Sequence, residues 1–175
     1  LRFVIKSFAQ HAPANVQLLV KRHPLDPGIV SWRRLTRRLA QQYGIADRVV
    51  YISDWDIAEV VQGALGVVTV NSTVGTLALN SGRPVVVLGH AVYKVPGIVH
   101  DGSLDDFWAS APAPDRALYS AFRRVLVDRC LIRGGLLSDD GLEILGGSAV
   151  ERLVGRPYRR VLVQDGAGFR RAGQL

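Results

Sequence analysis

Two apolar runs joined by a short helical segment constrain the fold of this chain more than any other feature. The runs occupy residues 66–70 and 84–88, and neither alternates with polar residues. Uniformly apolar, β-branched runs are typical of parallel strands buried on both faces. Residues 73–80 between them have apolar side chains at helical spacing, and Gly82 follows where a helix often ends on glycine. The sequence therefore predicts a β-α-β unit.

The turn that leads into this helix is rich in groups that can bind phosphate. It contains Asn71, Ser72 and Thr73, followed by Gly75. Hydroxyls and free backbone N–H groups at a helix start can bind a phosphate, but the same residues can simply cap the helix. The turn is neither a Walker loop nor the GxGxxG of dinucleotide sites. From the residues alone, capping and phosphate binding are both open.

The rest of the chain first continues the alternation and then becomes helical. Further strands are predicted at 16–22 and 49–53. Further helices are predicted at 2–11, 31–43, 57–64, 103–109, 114–132 and 142–154. We therefore predict an α/β domain over residues 1–154, with a Rossmann-like parallel sheet flanked by helices and a helical extension from about 103. The basic Gly/Arg-rich residues 155–175 are predicted to be a disordered tail.

Apolar spacing within the helices predicts which side chains face the core. In the helix at 31–43 these are Trp32, Leu35 and Leu39. In the long helix at 114–132 they are Leu118, Phe122, Val125 and Leu126. In the first helix one side carries Phe3, Val4, Ser7 and Phe8.

A second polar loop, at 21–28, follows the strand at 16–22. A histidine at position 23 can donate a ring N–H to a phosphate or carboxylate, and Lys21 and Arg22 add positive charge. The histidine can equally be an ordinary loop residue that faces water. Ligands of open parallel sheets bind beyond the carboxyl ends of the strands, so this loop and the 71–75 turn are expected to face one site. Tyr93, after the last strand, could stack on a base or sugar or simply pack.

Composition and charge narrow the classes of function. The net charge is +7, with 22 Lys and Arg against 15 Asp and Glu, which suits nucleic acid, an anionic membrane surface or an anionic substrate. Nucleic acid is the weakest of these, because the sequence has no zinc-ligand set, RNA-binding aromatic pattern or helix-turn-helix signature. No metal or other cofactor is expected. No nucleophile with a base and orienting partner emerges, so the sequence predicts a binding part rather than a complete catalytic centre.

The first residues, the single cysteine and the lack of Met indicate the cellular compartment of this chain and its relation to a longer protein. The first residues lack the features of a signal peptide, and no apolar run approaches the roughly 18 residues of a membrane span. Cys130 excludes an internal disulfide and fits a reducing compartment. The chain contains no Met, so we expect it to be a piece of a longer protein.

Three motifs together resemble a known family. They are KRHPLDPG at 21–28, VVTVNSTVGTLALNSGRPVVVLGHAVYKVPG at 67–97 and GSLDDFW at 102–108. Their order and spacing resemble the capsule polysaccharide synthesis family, in particular the Kps-type β-Kdo transferases, over roughly residues 15–110.

The resemblance implies the C-terminal, donor-binding domain of a GT-B glycosyltransferase that uses CMP-Kdo. It implies that His23, Ser72 and Thr73 hold the CMP phosphate and that Gly75 allows close backbone approach, with Lys21 and Tyr93 as further contacts. The implied setting is the cytoplasmic face of the inner membrane, peripheral to it. The implied partners are a lipid-linked acceptor, the anionic membrane surface and other capsule assembly proteins.

The resemblance also has departures, and two other functions stay open. The family's catalytic carboxylate and acceptor site lie in a half that the resemblance does not cover, so an incomplete fragment, inactive alone, is expected. Lys94 and His90 stand where the family has other residue types. One alternative is a UDP-sugar transferase or 2-epimerase, although residues 74–81 lack the acid such sites use for ribose. The other is a non-catalytic membrane-surface module.

Overall fold

The computed structural model describes residues 1–132 and 134–155. In these ranges the strands are β1 (Leu18–Lys21), β2 (Val49–Ile52), β3 (Val67–Thr69) and β4 (Val85–Val87). The helices are α1 (Arg2–His11), α2 (Trp32–Gln42), α3 (Ile57–Gly63), α4 (Val74–Asn80), α5 (Leu104–Ser110), α6 (Arg116–Cys130) and α7 (Asp139–Leu153). The order of strands and helices predicted from the sequence is therefore confirmed.

The strands pair in parallel but do not form one sheet. β1 pairs with β2, with Leu18 opposite Val49, and β3 pairs with β4, with Val67 opposite Val85. Among the described residues no backbone ladder joins the two pairs. The prediction of parallel strands flanked by helices is thus confirmed, whereas the single continuous sheet is replaced by two two-stranded ladders.

Side chains, rather than backbone hydrogen bonds, connect the two ladders. One apolar cluster packs α1 and α2 against β1, and a second packs α5 against β4. Val4 of α1 and Trp108 of α5 contact both clusters. The core is therefore continuous across a break in the sheet.

A polar chain strengthens the contact between α1 and α5. The indole Nε1 of Trp108 donates to Ser7 Oγ at 2.8 Å, and Ser7 Oγ donates to Asp105 Oδ1 at 2.5 Å. His11 Nε2 lies 3.4 Å from the other carboxylate oxygen of Asp105. Ser7 is buried, and these bonds satisfy its hydroxyl, so it can face the core at low cost.

The start of α5 is fixed by a capping box. The Ser103 hydroxyl accepts the Asp106 N–H at 3.1 Å, and the Asp106 carboxylate accepts from the Ser103 hydroxyl at 2.6 Å and N–H at 3.3 Å. These bonds satisfy backbone donors that have no partner inside the helix. The Ser103 hydroxyl, and then its N–H, lower the pKa of Asp106 below the ordinary value, because both stabilise the charged carboxylate.

We expect Ser103→Ala to lower the free energy of unfolding by about 1 kcal/mol at pH 7, the usual effect of losing a serine N-cap. Because the pKa of Asp106 is lowered in the folded state, its stabilising effect is present above the unfolded value, near 4, and is lost as the pH falls through the folded value. Urea unfolding of both proteins should therefore show a difference that narrows in acid. A difference that stays constant from pH 7 to pH 3 would contradict the role of Asp106.

Several helix residues predicted to be internal are instead exposed. Trp32 is the first residue of α2, and the buried positions of that helix, Thr36, Leu39 and Ala40, begin one turn later. Leu118 and Val125 of α6 are also exposed, and so is Phe3, which was predicted to share one side of α1 with the buried Phe8. Apolar spacing correctly identified Phe8 in α1 and Leu39 in α2 as buried, but the buried residue of α6 is Tyr119, which it did not predict.

The chain divides into two compact units, Leu1–Ala121 and a second that begins at Phe122. In the second unit the Ser138 hydroxyl caps α7 by accepting the Gly141 N–H at 3.1 Å. The Arg152 guanidinium donates to carbonyl oxygens at the end of α6, including those of Arg129 at 2.7 Å and Leu131 at 2.9 Å. Residues 156–175, nearly all of the predicted tail, lie outside the described residues, so the predicted boundary at 154 stays a prediction.

Candidate functional site

The loop after β1 is shaped by hydrogen bonds within its own sequence. The Asp26 N–H donates to the His23 carbonyl at 3.1 Å, and the Gly28 N–H donates to Asp26 Oδ1 at 3.2 Å. Gly28 has a φ of +75°, a conformation that glycine adopts without steric cost. Asp26 therefore has a structural partner in the loop, and the turn presents His23 in a fixed backbone setting.

A backbone bond selects the form of the His23 ring. Its Nδ1 accepts the Leu25 N–H at 3.1 Å. A neutral imidazole carries its proton on one nitrogen only, so an accepting Nδ1 leaves the proton on Nε2. The ring thus keeps an N–H that can donate to an anion, as a phosphate-binding histidine needs.

His23 lines a cavity of about 430 Å³ beyond the carboxyl end of β1. This volume lies within the range of small-molecule sites, roughly 300–1,000 Å³. Lys21, Arg22 and His23 supply hydrogen-bond donors, and the lining also includes Trp32 and Tyr51. Lys21 Nζ lies 3.5 Å from the Ser53 carbonyl oxygen, and an ammonium with three protons retains donors beyond that contact. The cavity is mostly apolar, and its charged residues are Lys21, Arg22 and the acidic Asp26.

The 71–75 turn forms a second polar cluster at the end of β3. Ser72 Oγ accepts the Val74 N–H at 3.2 Å, and the Ser72 N–H donates to Thr69 Oγ1 at 3.2 Å. Thr73 occupies the N-cap position of α4, and its side chain makes no capping bond. Ser72 therefore acts as a local cap, while its own O–H and the Thr73 hydroxyl can still donate to another group.

Tyr93 is buried against this turn and is hydrogen-bonded to it. Its side chain is only 3% exposed, and its hydroxyl donates to the Ser72 carbonyl. Burial raises the pKa of Tyr93, a change that the bond with Thr69 partly opposes. The suggestion that Tyr93 stacks on a base or sugar is not supported, because a ring buried to this degree has no free face. We interpret Tyr93 as a residue that positions the turn.

The same packing accounts for Gly75. A Cβ at this position would lie 2.6 Å from Cε2 of Tyr93 and overlap its hydroxyl. The space that glycine leaves is thus filled by a protein side chain, which is a structural reason for glycine here, and the close approach of a ligand to its backbone stays a prediction.

The described residues therefore contain two clusters rather than one demonstrated site. Ser72, Thr73, Gly75 and Tyr93 lie together, whereas Lys21 and His23 line the cavity. The cavity lining includes no residue of the 71–75 turn. A single site that uses both clusters stays a prediction.

Sequence reasoning missed Trp32 and Tyr51 as cavity residues. Helical spacing places Trp32 in the core, and Tyr51 lies within a strand whose neighbours are apolar. The positions of these two residues relative to the predicted strands and helices could have identified them. Trp32 begins the helix that follows the histidine loop, and Tyr51 is one residue from the end of β2, so each lies near the carboxyl edge of its ladder.

Comparison with known proteins agrees with these motifs. The family model described as capsule polysaccharide biosynthesis protein matches residues 1–136. The chain belongs to this capsule polysaccharide biosynthesis family. It is 37% identical over 139 residues to the capsule polysaccharide modification protein LipB of Neisseria meningitidis serogroup A, covering 79% of this chain and 33% of that protein. It is 38% identical over 124 residues to the capsule polysaccharide export protein KpsS of Escherichia coli, covering 71% of this chain and 32% of that protein.

The chain thus spans about a third of the length of these capsule relatives. No solved structure matches it. Within residues 1–132 and 134–155, no cluster of three His, Cys, Asp or Glu side chains could hold a metal ion. Among the described helices, none is both long enough and apolar enough to cross a membrane.

Proposed function

We propose that this chain is the donor-binding part of a glycosyltransferase of capsule polysaccharide synthesis, with CMP-Kdo as its nucleotide sugar. Membership of the capsule family supports the pathway, and the names of the two relatives refer to modification and export of the capsule polysaccharide. The donor and the transferase activity are inferred from the motifs at 21–28 and 71–75. A GT-B arrangement, a lipid-linked acceptor and a peripheral position at the inner membrane belong to the same proposal.

The observation that carries the proposal is the donor set at the cavity after β1. His23 offers an Nε2–H because its Nδ1 is already bonded to the backbone, and Lys21 and Arg22 add cationic donors. Such groups suit the phosphate of a nucleotide sugar, since charge-assisted hydrogen bonds to phosphate are stronger than neutral ones.

These donors would assist sugar transfer by stabilising the leaving group. When the bond between the sugar and the phosphate of CMP breaks, negative charge develops on the phosphate oxygens. Donors already oriented towards those oxygens bind the transition state more tightly than the ground state. We assign this role to His23, with Lys21, and propose Ser72 and Thr73 as further donors in the complete protein.

We expect the purified chain to bind CMP, and His23→Ala to weaken that binding about 10- to 100-fold, the effect of losing one hydrogen bond to a charged group. Isothermal titration calorimetry with CMP, UMP and UDP measures both. His90→Ala is the matched control, because His90 is exposed and lies outside the cavity lining. It should bind CMP as the unmodified chain does.

The other outcomes discriminate between functions. Tighter binding of UDP than of CMP would favour a UDP-sugar enzyme. Salt-sensitive binding to anionic vesicles with no response to any nucleotide would favour a membrane-surface module. Equal losses in His23→Ala and His90→Ala would contradict the assignment of His23.

A further inference from the structure

We propose that Trp32 is the residue that binds the ring of the ligand, so that the cavity after β1 recognises a planar heterocycle joined to an anionic group. This inference rests on the proposed function and adds a specificity residue to it. Trp32 lies outside the three motifs that carry the family resemblance. It is identified only by its position in the lining of the cavity.

The exposure of Trp32 is the first observation. The Trp32 side chain is 38% exposed, whereas Leu39, on the same helix, is 2% exposed. Indole is a large apolar group, and exposing it to water forgoes the stabilisation that burial would give. A ligand ring that covered it would recover part of that stabilisation. Trp32 also begins α2, next to the loop that carries His23, so it borders the cavity without being part of the core.

The hydrogen bonding of the tryptophans is the second observation. Trp108 donates its indole N–H to Ser7 at 2.8 Å and packs against Phe8, so both its polar and apolar groups have protein partners. For Trp32, no protein acceptor of the indole N–H lies among residues 1–132 and 134–155. Trp32 therefore offers a ring face and an N–H donor to a bound molecule.

The other aromatic residue of the cavity is already engaged. The guanidinium of Arg33 lies 5.5 Å from the centre of the Tyr51 ring, within the distance of a cation–π contact. Arg33 thus stabilises the position of Tyr51. Trp32 is the aromatic side chain of the lining that lacks such a contact within the described residues. We therefore place the ring of the ligand on Trp32 and leave Tyr51 as a side wall.

The distribution of charge defines the rest of the ligand. Lys21, Arg22 and the neutral ring of His23 are consecutive, so the donors of the cavity come from one short stretch. Asp26 also lines the cavity, and its carboxylate accepts the Gly28 N–H within the loop. Trp32 is contributed by a different element, the start of α2. A molecule that meets both has an anionic group at one end and a flat ring at the other. Nucleoside monophosphates, and sugars activated by them, have this chemistry.

The test compares a complete nucleotide with the same phosphate lacking a base. We expect the full chain to bind CMP more tightly than ribose 5-phosphate in calorimetric titrations. In Trp32→Ala we expect CMP binding to weaken about 5- to 100-fold, the range for loss of one base–aromatic stack, and ribose 5-phosphate binding to stay unchanged. Trp32→Phe should retain much of the CMP affinity, because it keeps an aromatic face.

Trp55→Ala is the matched control. Trp55 is 63% exposed and does not line the cavity, so its loss should leave both affinities unchanged. Circular dichroism of each variant confirms that it is folded. Trp32→Phe serves as the test if the alanine variant does not fold. If the folded phenylalanine variant bound CMP no more tightly than it bound ribose 5-phosphate, the stacking role of Trp32 would be overturned.

The outcomes separate this inference from the proposed function. CMP binding that is equal in the unmodified chain and in Trp32→Ala overturns the role of Trp32 and leaves the CMP proposal standing. AMP binding as tight as CMP binding, and equally sensitive to Trp32→Ala, supports the role of Trp32 and contradicts the choice of CMP. Equal affinity of the unmodified chain for CMP and ribose 5-phosphate overturns the ring site. Failure of every nucleotide to bind overturns both.

Discussion

Phe8→Ala lowers the free energy of unfolding by about 3–5 kcal/mol, the usual effect of deleting a fully buried phenylalanine ring. Phe8 is 0% exposed, so its removal leaves a cavity in the cluster that joins α1 and α2 to β1. The ring also contacts Trp108 edge-on at 5.2 Å between centroids, and the Arg48 guanidinium lies 4.8 Å from its centre. These contacts disappear with the ring. Urea unfolding followed by circular dichroism measures the change.

Phe3→Ala is the matched control for this substitution. Phe3 lies on the same helix, but its side chain is 63% exposed. Substitutions at exposed sites usually change stability by no more than about 0.5 kcal/mol. A loss of the same size in Phe3→Ala and Phe8→Ala would show that α1 is not anchored through Phe8, contrary to the packing described.

Gly75→Ala is expected to destabilise the protein by about 1–3 kcal/mol, although alanine normally favours a helix over glycine. The added methyl would overlap the Tyr93 ring, which is buried and bonded to the Ser72 carbonyl. Steric overlap with a fixed aromatic ring outweighs the gain in helix propensity, which is about 1 kcal/mol. The same unfolding experiment measures it.

Two comparisons isolate the overlap. Gly63, at the end of α3, has no atom within 4 Å of where a Cβ would lie, so Gly63→Ala should stabilise the protein or leave it unchanged. In a Tyr93→Ala background the space is vacant, so Gly75→Ala should cost little there. Additive effects of Gly75→Ala and Tyr93→Ala would contradict direct contact between the two residues.

Secondary structure was predictable because its signals are local. The end of α4 was visible in Gly82, which has a φ of +68°, and the start of α5 in the cap-forming Ser103. The continuous apolar character of residues 85–87 correctly indicated a strand buried on both faces. Each of these features is determined by residues that are close together in the sequence.

Features that depend on distant parts of the chain were not predictable. Tyr93 fills the space beside Gly75 from eighteen positions away, and no local pattern distinguishes that role from a ligand contact. Trp32 is exposed because the residues that pack against α2 do not extend to its first turn. The break between the ladders depends on pairing among strands of only three or four residues, where short segments contribute few hydrogen bonds to enforce a common sheet.

The break between the two ladders means that, within the described part of the chain, no strand register fixes the spacing of the two polar clusters. In one continuous sheet, the hydrogen-bond register between neighbouring strands would fix the distance from His23 to Ser72. Here Val4 and Trp108, which contact both apolar clusters, bridge the halves that carry those residues. Contacts between apolar side chains are not directional, and among the described residues no backbone hydrogen bond between the ladders fixes this spacing. A change in the size of either side chain would therefore disturb the packing between the ladders, and at Trp108 it would also disturb the hydrogen bond to Ser7 and the contact with Phe8.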